Sequence, residues 1–105
     1  TELKALIPHV DVVIDFSSPE ASLYHADLAA AGKVPLVVGT TGLNKAQEEK
    51  LVQAAKKVPL VYAANTSVGV TLLTALVERA AAALSLDWDV EILEMHHRLK
   101  VDAPS

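Results

Sequence analysis

Two histidines and a lysine, His96, His97 and Lys100, stand close together in the run Glu94-Met95-His96-His97-Arg98-Leu99-Lys100-Val101-Asp102-Ala103-Pro104-Ser105. Imidazole moves protons near neutral pH, and an ammonium group can donate a proton or hold an anion. A small anionic substrate that gains a proton in its reaction would suit such a cluster. Two other readings stay open. Neighbouring residues of a strand point to opposite faces, so His96-His97 makes a poor chelating pair for a metal. A structural histidine network is the other. The nearby Lys100, Asp102 and Ser105 favour proton transfer over both.

The cluster needs elements to hold it. Residues 88–95 read as a strand, with Val90 and Ile92 alternating against Glu91 and Leu93, so the histidines sit at its mouth. Upstream, Val10-Asp11-Val12-Val13-Ile14-Asp15-Phe16 is almost wholly apolar and β-branched, the pattern of a strand buried on both faces. Ser17, Ser18, Pro19 and Glu20 signal a helix start, and Gly32 its C′ stop. Residues 34–38 and 59–63 are two further short strands. Asn44, with Gln47 three residues on, predicts a capped helix whose buried stripe is Leu51, Ala54, Ala55 and Val58. Asn65 to Ser67 offer caps for a long helix reaching about Leu84, with Leu73, Leu76, Val77, Ala80 and Leu84 on one face and Thr71, Thr74 and Glu78 on the other. Asp11 and Asp15 are expected at strand ends or a solvent edge, and His9 and His25 on the surface.

Strands separated by single helices form right-handed parallel crossovers. The fold class is therefore α/β: the second half of a doubly wound, Rossmann-like parallel sheet. The opening residues read as the tail of a helix, and Pro104-Ser105 as a turn into another, so the chain is expected to be a piece of a longer protein.

Composition narrows the partners. Apolar residues make up 51% and aromatics only 4%, the palette of small helices on an aliphatic sheet. A net charge of −4 speaks against nucleic acid as the main partner. No apolar run is long enough to cross a bilayer, and no basic-then-apolar signal opens the chain. The lack of cysteine removes thiolate chemistry and is compatible with a cytoplasmic location.

Ligands of such sheets sit at the carboxyl ends of the strands. One end here is Gly39-Thr40-Thr41-Gly42, where glycine lets a backbone approach a ligand and threonine offers hydroxyls, although an ordinary turn would use the same residues. Another is Ala63-Ala64-Asn65-Thr66-Ser67, whose two small residues leave room for a flat ring; for Asn65, a helix cap is the simpler role.

The run Glu94-x-His96-His97-x-x-Lys100-x-Asp102-x-Pro104-Ser105 resembles the signature of the bacterial dihydrodipicolinate reductase family. The blocks at residues 15–21, 39–42 and 63–70 resemble family blocks in order and spacing. The resemblance implies that residues 1–66 are the C-terminal part of a dinucleotide-binding domain and that the sheet runs into the start of an α/β substrate and tetramerisation domain at 67–105. It implies hydride transfer from NADPH or NADH to a cyclic unsaturated dicarboxylate in lysine and diaminopimelate biosynthesis, by a cytoplasmic homotetramer. It also implies that His96 and Lys100 are the catalytic proton donors and that His97 binds substrate. Gly39, Thr40, Thr41, Ala63, Ala64, Asn65 and Thr66 would contact the cofactor. The family's glycine-rich pyrophosphate loop and its ribose-reading residue would lie upstream of Thr1, so this segment by itself is expected to be inactive. Two alternatives remain: another Rossmann-fold dehydrogenase of small anionic substrates, and a non-catalytic ligand-sensing module.

Overall fold

The computed structural model describes residues 2–84 and 87–100. The chain divides into two compact units, Thr1–Ala64 and Asn65–Ser105.

In the first unit, helix α1 (Glu2–Leu6) passes through a 3-10 turn at Ile7–His9 into strand β1 (Val13–Asp15). Helix α2 (Pro19–Gly32), strand β2 (Leu36–Val38), helix α3 (Lys45–Ala55) and strand β3 (Leu60–Tyr62) follow. The sheet order is β1-β2-β3, all parallel, with Ile14 opposite Val37 and Val37 opposite Val61. The expected α/β crossovers are thus present, although each strand is shorter than its apolar run.

Strand order dictates where the helices lie. Two right-handed crossovers stepping the same way across a sheet place both helices on one face. Accordingly α2 packs on α3 and both touch the sheet. Val13, Leu36 and Val38 meet Ala26, Ala29, Ala30, Leu51, Ala54 and Val58 in a single buried cluster. Three alanines on α2 let the helix approach its neighbours closely. Ile14 and Val61 are 65% and 56% exposed, so the opposite face stands open within this unit. The apolar run of β1 therefore does not mark burial on both faces here. Covering the second face would require crossovers that step the other way. Ala55, expected in the buried stripe of α3, is exposed.

The helix ends follow the sequence with one exception. Asn44 and Gln47 form a reciprocal capping box, each backbone N–H donating to the other's side chain at 2.9 Å. Asn44→Ala should lower stability by ~0.5–2 kcal/mol, the usual worth of such a cap, and denaturant unfolding of the full-length protein would measure it. The exception is the end of α2. Gly32 is the last helical residue, and Lys33 takes the left-handed conformation (φ 59°) while Val34 N–H closes onto Ala29 O at 2.9 Å. Gly32 is glycine for want of space: a Cβ there would collide with Ile7 Cγ2.

In the second unit, helix α4 (Val68–Ala83) starts at Ser67, whose Oγ accepts from Val70 N–H at 3.3 Å. Asn65 is therefore not the cap; its Oδ1 accepts from Ser67 N–H at 2.7 Å and steadies the residue that is. The apolar stripe expected on α4 is present, yet no residue of this helix is buried. The fourth strand expected over residues 88–95 does not form: described residues 87–100 hold turns and extended chain without a ladder. A strand exists only by pairing, and among the described residues no segment pairs with it. Ile92, Leu93 and Met95 are each at least 85% exposed as a result.

An unpaired edge at β1, an open sheet face and an uncovered apolar helix are all surfaces that associate. The isolated 105-residue chain is expected to self-associate through β1 or β3, the outer strands of the sheet, since β2 is central and paired on both sides. Sedimentation would check this, and a monomer that melts cooperatively would contradict it.

Candidate functional site

The carboxyl ends of β1 and β2 lie side by side. Gly39, directly after β2, donates its N–H to Asp15 O at 2.8 Å. Thr40 is buried, and its Oγ1 accepts from Ser17 N–H at 2.9 Å. That threonine hydroxyl ties the turn after β1 to the loop after β2. Phe16, 70% exposed, lays its ring against Gly39, so a Cβ there would fall among ring carbons Cδ1, Cε1 and Cζ. Gly42 has φ +81°, a conformation that side chains rarely adopt, and faces open space. The structure thus brings Gly39 and Thr40 together with Phe16 and Ser17. Ala63, after β3, extends the same edge by donating its N–H to Val38 O at 3.1 Å. Ala63 is partly buried, and Ala64, Asn65 and Thr66 are exposed.

Beneath this edge lies a polar cluster that the sequence reading passed over. Asp15, expected at a strand end or a solvent edge, is 3% exposed. Its Oδ1 accepts from Ser17 Oγ at 2.5 Å and meets His25 Nδ1 at 3.4 Å. His25, expected on the surface, is half-buried on α2 and turned to the carboxylate. An acid inside an otherwise aliphatic strand, with serine two residues on, was the available signal: a buried carboxylate has to find donors.

In the second unit, residues 94–100 hold the other predicted group. The His96 imidazole pairs through Nδ1 with Glu94 Oε2. His97 Nδ1 accepts from Leu99 N–H at 3.2 Å, and Lys100 N–H closes onto His97 O at 3.1 Å. This is a tight turn of His97-Arg98-Leu99-Lys100 that gathers two of the three candidate side chains onto one small loop. His96 and His97 are exposed and Lys100 is partly buried. Asp102, Pro104 and Ser105 of the motif lie outside the described residues.

The arrangement offers two chemistries. The first-unit edge presents small residues, an exposed aromatic ring and a braced loop, which is what a flat ligand needs. The second-unit turn presents proton-bearing side chains. Among the described residues, no helix is long and apolar enough to cross a membrane.

Comparison with known proteins agrees with both halves. Residues 1–66 match the family model for the N-terminus of dihydrodipicolinate reductase, and residues 69–105 match that for its C-terminus. The chain is 54% identical over 95 residues to a 4-hydroxy-tetrahydrodipicolinate reductase of Zymomonas mobilis, covering 90% of this chain and 37% of that protein. It is 55% identical over 104 residues to the Gluconacetobacter diazotrophicus protein of the same name, covering 98% of this chain and 41% of that protein. With that of Parvibaculum lavamentivorans it shares 54% identity over 100 residues, covering 95% of this chain and 37% of the relative. The chain spans about two fifths of the length of these relatives. It belongs to the dihydrodipicolinate reductase family and carries parts of both the N-terminal and the C-terminal regions of that family.

Proposed function

We propose that the whole protein containing this chain is a 4-hydroxy-tetrahydrodipicolinate reductase, which reduces 4-hydroxy-tetrahydrodipicolinate to tetrahydrodipicolinate with NADPH or NADH in lysine and diaminopimelate biosynthesis. The observation that carries this reading is the 54–55% identity to reductases of that name, sustained through both family regions. Residues 1–66 would then belong to the dinucleotide-binding domain and 67–105 to the substrate domain. The whole enzyme would be a cytoplasmic homotetramer.

The residues at the sheet edge fit a nicotinamide nucleotide. Gly39 leaves room for the exposed Phe16 ring, which offers a flat apolar surface at this edge, and Ala63 keeps the neighbouring strand end small. Gly39, Thr40, Thr41 and residues 63–66 would hold the cofactor, which supplies the hydride when bound. The chain's own residues do the rest. His97, beside Lys100 in the turn, would hold a substrate carboxylate by a charge-assisted hydrogen bond. Lys100 and His96 would deliver a proton to the substrate atom that gains electron density, and Glu94 would orient the His96 imidazole.

The test is direct: purify the full-length protein and follow loss of reduced nucleotide with the cyclic dicarboxylate, using NADPH and NADH in turn. Turnover dependent on the dicarboxylate supports the reading, and the ratio of kcat/KM values sets the nucleotide preference. No turnover with either nucleotide would leave the sensing-module alternative in its place.

A further inference from the structure

Asp15 touches both sides of the β1–β2 edge, through its backbone and its side chain. Its carbonyl takes Gly39 N–H at 2.8 Å. Its carboxylate holds Ser17 Oγ at 2.5 Å, and the same Ser17 gives its backbone N–H to Thr40 Oγ1 at 2.9 Å. Between these anchors stands Phe16, whose ring covers Gly39. The carboxylate is buried, and His25 of α2 approaches the same Oδ1 at 3.4 Å. A buried carboxylate is costly unless its oxygens are hydrogen-bonded, so a chain gains little by placing one here for packing alone. Oδ2, moreover, has no partner. Packing would be met by valine or isoleucine, as at Val13 in the same strand.

We propose that Asp15 is a positioning residue for nucleotide binding. Through Ser17 it sets the turn that carries Phe16 and fixes Thr40, and His25 holds the carboxylate in place from α2. Removing the carboxylate frees the turn after β1. Phe16 and Thr40 then lose their common register, and the nucleotide must order them on binding. This rests on reading Gly39, Thr40 and Thr41 as the nucleotide-contacting loop.

Four variants of the full-length protein, Gly39→Val among them, decide it, titrated with NADPH and separately with NADH by nucleotide fluorescence. Asp15→Ala should weaken binding at least ~10-fold, as loss of a hydrogen bond to a charged group together with the His25 contact would. Ser17→Ala removes one hydroxyl, leaves the fold intact, and should weaken binding by ~3–10-fold. Asp15→Asn keeps an Oδ1 that accepts from Ser17, and should stay within ~3-fold of the parent. KM for the dicarboxylate at saturating nucleotide should stay within about twofold throughout, a separation that general destabilisation would not produce. Should Asp15→Ala fail to fold, the Ser17→Ala titration decides alone. Parent-like nucleotide affinity in Ser17→Ala, with affinity lost in Gly39→Val, overturns the positioning role. Parent-like affinity in Gly39→Val as well overturns the loop reading beneath it.

Discussion

Replacing Lys100 by alanine in the full-length reductase is expected to cut kcat by ~10²–10⁴-fold, the range a general acid contributes. His96→Ala should do comparable damage. Both residues flank or close the turn that begins at His97, and His96 is held against Glu94. A proton donated in the transition state does not help the substrate bind, so the loss should fall on kcat and kcat/KM together. His97→Ala is expected to behave differently. A group that holds a carboxylate in both ground and transition states should chiefly raise KM when removed. Nucleotide affinity should survive all three changes. Steady-state kinetics on the purified variants checks the split, and near-normal kcat in Lys100→Ala and His96→Ala would remove the proton-donor assignment.

The second large effect is expected at Gly39. A valine there must displace the Phe16 ring, because the new Cβ occupies the volume of three ring carbons. Phe16 is mostly exposed, so its ring can swing outward without opening the core. Folding should therefore change little, while the surface offered to the nucleotide is rebuilt. Loss of ~10-fold or more in NAD(P)H affinity is the expected result, equivalent to ~1.4 kcal/mol of binding energy. Melting temperature and nucleotide titration, measured on one preparation, separate the two. Unchanged affinity would mean that the loop after β2 does not touch the cofactor.

The local elements were largely legible because local rules govern them. Ser18-Pro19, Asn44 with Gln47, and Ser67 start their helices through backbone and side-chain bonds that span three residues. The β-α-β-α-β order also followed from spacing alone. Misreadings came where the outcome depends on what lies across space. Residues 88–95 alternate like a strand, yet a ladder needs a partner that no pattern within those residues can supply. The almost wholly apolar run of residues 10–16 suggested two covered faces, whereas the direction in which the crossovers step leaves one open. Asp15 and His25 looked like surface residues because each is polar and far from the other in sequence. Only the packing of α2 on β1 makes them neighbours. The histidine–lysine motif was legible as residue types at a spacing, while the turn that gathers His97 and Lys100 came from the structure.

The close of α2 splits between two neighbours a task that one glycine usually performs. Gly32 yields volume to Ile7, and Lys33 bears the left-handed backbone, at roughly 1–2 kcal/mol for a residue with a Cβ. Position 32 is therefore bound to position 7 rather than to its own dihedral angles. In a lineage where residue 32 acquires a side chain, residue 7 must first shrink, and the two should change as a pair. Position 33 answers only to its backbone, and is free to drift toward asparagine or glycine independently of either.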